Sequence, residues 1–108
     1  MAKLNFEDAL QIINDERPLI AHHVRADALR RKVWIAEWHI PGCMSESRIY
    51  STTKEDAINS ACSMAESEDG TPRGMRTALR RTGRFDSDSP MFGRCVNTVE
   101  CVTLADIL

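Results

Sequence analysis

Four residue types in this chain have side chains able to do chemistry: histidine, cysteine, the carboxylates and arginine. The spacing of the first three argues against most of what they could do. His39 and Cys43 stand as H-x3-C, and Cys95 and Cys101 would have to complete a tetrahedral zinc site. Zinc ligands come in close pairs, and neither CxxC nor HxxxH occurs, so no metal is expected. A Cys43 thiolate with His39 as its base lacks any neighbouring acid or oxyanion donor to complete a nucleophilic site. His22 and His23 are adjacent, which turns their side chains apart on a helix or a strand. Cys62 and Cys95 read as small core hydrophobes, and carboxylates such as Glu37 and Glu46 have no partner assignable from spacing. Neither GxxxxGK[ST] nor GxGxxG occurs, and Gly74 and Gly83 are single punctuators. The expectation is a protein without cofactor, metal or enzymatic activity.

Arginine is different. The stretch TPRGMRTALRRTGR, residues 71–84, holds Arg73, Arg76, Arg80, Arg81 and Arg84 and no acid, in a chain of formal charge -2. At about 100° per residue, Arg73, Arg76 and Arg80 project within roughly 60° of one direction, with Arg81 near the same side. Met75, Ala78 and Leu79 fall opposite, so a helix here docks through them and turns its arginines outward. Arg84 extends the patch only if the chain stays close after Gly83. Like charges three and four apart disfavour a helix, and cations suit its C-terminus rather than its start. An anionic partner would offset that cost. The competing reading is a solvated face, its charges paired with the flanking Glu66, Glu68, Asp69, Asp86 and Asp88.

An acidic protein surface and nucleic acid are the two candidate partners. Arginine and large apolar residues dominate binding energy at protein interfaces, and the expected loop 84–94, RFDSDSPMFGR, adds Phe85, Met91 and Phe92 beside the stripe. Phe85 and Phe92 are the candidate apolar anchors. For nucleic acid, the patch lacks interleaved aromatics, and no helix-turn-helix, zinc-finger or RNP-type signature is present. Four arginines each neutralising a DNA phosphate would make log K fall with log salt at a slope of about -3.6.

These side chains must be positioned by ordinary elements. Asn5 caps a first helix carrying Phe6, Ala9, Leu10 and Ile13, with Glu7 and Asp8 in its first turn. Pro18 opens a second helix over 18–31, although its portion 19–24, LIAHHV, also reads as a strand. Residues 32–40 alternate with Trp34, Ala36, Trp38 and Ile40 on one face, which is a strand stopped by Pro41 and Gly42 and returned by 48–52 as a hairpin. Both tryptophans should bury against the helices. Thr52 or Thr53 caps a third helix with Ala57, Ile58, Ala61, Cys62 and Ala65, and Thr71–Pro72 opens a fourth that Gly83 ends. Residues 85–90 read as a loop, and 92–104 as a third strand before a final turn.

The expected fold is therefore α+β in the order α-α-β-β-α-α-β, with about four helices on one face of a small, mostly antiparallel three-stranded sheet. At 108 residues, 43% apolar and 28% charged, the whole of 1–108 is read as a single globular domain able to bury one core without staples. The four scattered cysteines read as reduced thiols. Eleven arginines stand against three lysines, which favours forked, partly desolvated contacts. No run approaches the ~18 apolar residues of a membrane span, and MAKLNFEDALQIINDERP carries four acids, so it is not a signal peptide. A cytoplasmic, non-enzymatic binding protein is expected. An inhibitor or adaptor, of the kind that phages and other mobile elements carry, is its concrete form.

Overall fold

Strand β1 (Lys32–His39) organises the molecule because both of its faces are apolar near its start. Val33 and Ile35 point one way and Trp34 and Ala36 the other, so each face of the sheet needs its own cover. The computed structural model describes residues 2–43, 46–89 and 93–108, apart from the side chain of Glu46. In it, β1 lies between β2 (Glu46–Ser51) and β4 (Gly93–Thr103), and β3 (Arg84–Ser89) pairs with the far side of β4. All pairs are antiparallel, in the spatial order β2-β1-β4-β3.

Over the face of Val33 and Ile35 pack α1 (Phe6–Asn14), the short α2 (Ala26–Leu29) and α5 (Leu104–Ile107). Their buried side chains Phe6, Leu10, Ala28 and Leu104, with Val24 from the segment before α2, form one core with β1. On the opposite face, α3 (Lys54–Ala65) and α4 (Met75–Thr82) bury Ala57, Ile58, Ala61, Cys62, Met75 and Leu79 against Ala36 and Val99. Trp34 packs at the edge of that second core and Trp38 is half-buried on the same face.

The α+β class agrees with the sequence reading, and three details differ. The sheet has four strands, because RFDSDS pairs along Gly93–Thr98 instead of looping; β4 is 11 residues long and offers β3 a free edge. Helices cover both faces instead of one, as the two-sided apolar pattern of β1 requires. The helix expected over 18–31 shrinks to a 3-10 turn at Ala21–His23 and the single turn of α2. Its backbone is claimed from outside: Leu4 N–H donates to His23 O at 2.8 Å and Arg25 N–H donates to Leu4 O at 2.9 Å. β-Branched Ile20 and Val24 have little helical preference to resist this.

The caps explain where the other helices begin and end. Asn5 accepts Asp8 N–H at 2.8 Å and Thr53 accepts Asp56 N–H at 3.2 Å. Helix α4 starts at Met75, later than Thr71–Pro72 suggests, because Gly74 takes a left-handed φ of 81° and breaks the turn. Gly83 ends it with φ 74°, and a Cβ there would lie 2.7 Å from Val99 O. Only glycine can make this tight passage from α4 into β3.

Candidate interaction surface on helix α4

Met75 and Leu79 lie four residues apart and are wholly buried, which fixes how α4 rolls onto α3. Of the remaining positions, Arg76, Thr77, Arg80, Arg81 and Thr82 are exposed and Ala78 is half-buried, and Arg73 is exposed in the turn before the helix. Two of these arginines are held by α3. Arg76 Nη1 donates to Asn59 Oδ1 at 2.7 Å, and Arg80 grips Glu55 with Nε at 2.9 Å and Nη2 at 3.2 Å. Glu55 and Asn59 are spaced i, i+4, as are Arg76 and Arg80, and the antiparallel packing lines the two pairs up.

The charges in this layer do not balance. Asn59 orients Arg76 without neutralising it, and among the described residues Arg73 and Arg81 make no ion pair or side-chain hydrogen bond. Lys54 adds a further cation, its Nζ donating to Arg80 O at 2.9 Å and lying 5.8 Å from the Trp34 ring. The Glu55 carboxyl responds to this field. Its pKa is lowered first by the Arg80 hydrogen bond; desolvation, next in size, opposes this, and attraction to Arg80, Arg76 and Lys54 lowers it further. In the core beneath, burial pushes the Cys62 thiol up.

Arg84 is not part of this layer. Phe85 points toward α4, half-buried against the second core, so its strand neighbour Arg84 is directed to the opposite face of the sheet. There it clamps Asp86 through Nε at 2.8 Å and Nη2 at 3.2 Å, while Arg94 Nη2 holds the same carboxylate at 2.7 Å. The two guanidinium groups hold the Asp86 carboxyl down at about 2, Arg84 contributing most. Of the stretch 84–94, read as one loop beside the stripe, residues 84–89 form β3 and 93–94 begin β4, and strand alternation separates Arg84 from the other arginines. What Phe85 can offer a partner is one partly covered ring. Phe92, with Met91, lies outside the described residues.

The sequence reading missed Lys54, Glu55, Asn59 and Arg94. The matching i, i+4 pairs on α3 and α4 were a usable signal, but only once the two helices are known to pack antiparallel. The residues weighed for zinc or thiol chemistry are dispersed. His39 lies on the β1 face with Glu37, whose Oε1 is 3.7 Å from its Nδ1, and Arg48 Nε donates to the other oxygen of Glu37 at 2.9 Å. Cys95 is buried on the opposite face, Cys101 is exposed beside Trp34 at the far end of β4, and Cys43 is exposed after the turn that follows β1. Among the described residues no three His, Cys, Asp or Glu side chains are grouped as a metal site requires. No helix among them is long and apolar enough to cross a membrane.

Comparison with known proteins adds no further constraint: no protein-family model, curated protein or solved structure matches this chain significantly.

Proposed function

We propose that this chain is a small, non-enzymatic binding protein that seats the α4 arginine layer on an acidic surface of a protein partner, as an inhibitor or adaptor in the cytoplasm. The observation that carries this reading is the charge imbalance of the layer. Arg73 and Arg81 make no ion pair among the described residues, Arg76 hydrogen-bonds the neutral Asn59 and feels Glu55 only at a distance, and Glu55 is the one acid paired with Arg80. Asn59 and Glu55 hold Arg76 and Arg80 in place before any partner arrives, which lowers the ordering cost of binding. Arg73 and Arg81 are the groups left to be satisfied by the partner. Arg84 acts only through its own hairpin, and Phe85 supports α4 from below. Four cysteines free of disulfides suit a reducing compartment.

The test is capture of partners by the immobilised chain, with and without nuclease. The reading expects a protein retained after nuclease and released as salt rises, since exposed charge contacts are screened over ~8 Å at physiological ionic strength. Retention that nuclease abolishes, with a slope of log K against log salt near -3.6 on duplex DNA, would transfer the surface to nucleic acid.

A further inference from the structure

On the α3 side of the sheet, beyond the second core, lies a cavity of about 320 Å³. Trp38 and Cys95 contribute to its floor from β1 and β4, Ser87 from β3, and Met64 and Pro72 to its wall. A wholly buried polar side chain, Asn97, stands next to residues that line the cavity. Asn97 is 0% exposed, and neither its Nδ2 nor its Oδ1 has a hydrogen-bond partner among the described residues. Its register partners are Trp38 on β1 and Phe85 on β3. Side chains two residues apart on a strand share a face, so Asn97 stands on the same surface as Cys95 and next to Trp38, both of which line the cavity.

A buried amide without partners is a standing penalty that a leucine of similar size would avoid. Its position between an apolar core and a cavity gives that penalty a purpose. We propose that the cavity is a binding site for a small, uncharged, planar molecule carrying an adjacent N–H donor and C=O acceptor, a carboxamide or lactam edge, which pairs with Asn97. The volume is near the lower bound of about 300 Å³ for small-molecule pockets and admits a single ring. Trp38, Met64 and Pro72 supply apolar and aromatic contact for that ring. Glu66 and Asp88 at the margin disfavour an anion. Because the Asn97 polar atoms are sealed from solvent, pairing requires a covering side chain to move, and Trp38, the register partner of Asn97 and a residue of the cavity lining, reports binding as well as shaping the site.

The experiment is an NMR titration of the uniformly 15N-labelled chain with benzamide, and with toluene as the ring lacking the amide. Saturable shifts of the Asn97 side-chain NH2 and the Trp38 indole N–H with benzamide, at a Kd about tenfold or more below that for toluene, are the expected result. Equal affinity for the two rings, or an Asn97 NH2 that does not move, overturns the proposal. So does a water cross-peak to the Asn97 NH2 that persists at saturating benzamide, since a trapped water then satisfies the amide. In Asn97→Leu the preference for benzamide over toluene should vanish while toluene binding remains. If that variant does not fold, the wild-type shifts alone decide.

Discussion

Two groups of arginines, one on α4 and one on the β3–β4 hairpin, meet their surroundings in opposite ways. On the hairpin, Arg84 and Arg94 close on one carboxylate, Asp86, and hold its pKa down at about 2. On α4 and in the turn before it, Arg76 reaches an amide, Arg80 shares one acid, and Arg73, in the turn, and Arg81 have no partner among the described residues. In the sequence Arg84 belongs to the same arginine-rich stretch as the α4 group, and Arg94 stands ten residues further on. The difference teaches that a run of cations becomes an exposed field only where the facing element withholds carboxylates, and α3 presents Asn59 where a second acid would have silenced Arg76.

The comparison breaks most severely if α4 cannot dock. Leu79→Ala removes a wholly buried side chain and should destabilise the fold by about 2–5 kcal/mol, read by denaturant unfolding, because the neighbouring α3 and β4 backbone cannot close the void fully. A smaller loss would mean that α4 is held mainly by its polar contacts to α3. Gly83→Ala attacks the passage that sends Arg84 to the other face. A left-handed φ of 74° and a Cβ placed 2.7 Å from Val99 O should cost about 1–3 kcal/mol, and an unchanged melting temperature would deny the tight turn.

Acid sharpens the comparison on the hairpin side. The folded Asp86 carboxyl titrates at about 2 against an ordinary 3.8, so its stabilising contribution is complete above the ordinary value and is lost as pH falls through the folded one. The difference in melting temperature between the wild type and Asp86→Asn should therefore be constant at neutral pH, shrink below about pH 4 and vanish only below about pH 2. A difference that stays the same down to pH 2 would show that the clamp is not formed in solution. The smallest effect on stability belongs to Arg73→Glu and Arg81→Glu, each expected within about 0.5 kcal/mol of the wild type because neither side chain has a partner among the described residues to lose. A larger change in either would reveal an intramolecular contact on α4 and undercut its role as a docking layer.

Where local chemistry suffices, the sequence is readable. Thr53 with Glu55 and Asp56 announces α3, the two-residue alternation of Val33 to Trp38 announces β1, and Gly83 announces the end of α4. Failures occur where a distant segment decides. RFDSDS has weak strand character of its own and becomes β3 because β4 has an open edge beside it. Residues 18–31 carry a helical pattern that the Leu4–Val24 bridge overrides. The arginine layer itself is visible as a spacing, but its partial neutralisation by Glu55 depends on how α3 and α4 pack, and the exile of Arg84 depends on a strand that the pattern hides.

The most direct test sets one arginine group against the other in a single binding measurement. Arg73→Glu/Arg81→Glu and Arg84→Gln/Arg94→Gln are compared with the wild type for retention of the nuclease-resistant partner, after each is shown by its melting curve to be folded. The account predicts that the α4 pair abolishes retention and the hairpin pair leaves it intact. Undiminished retention by the α4 pair would contradict it.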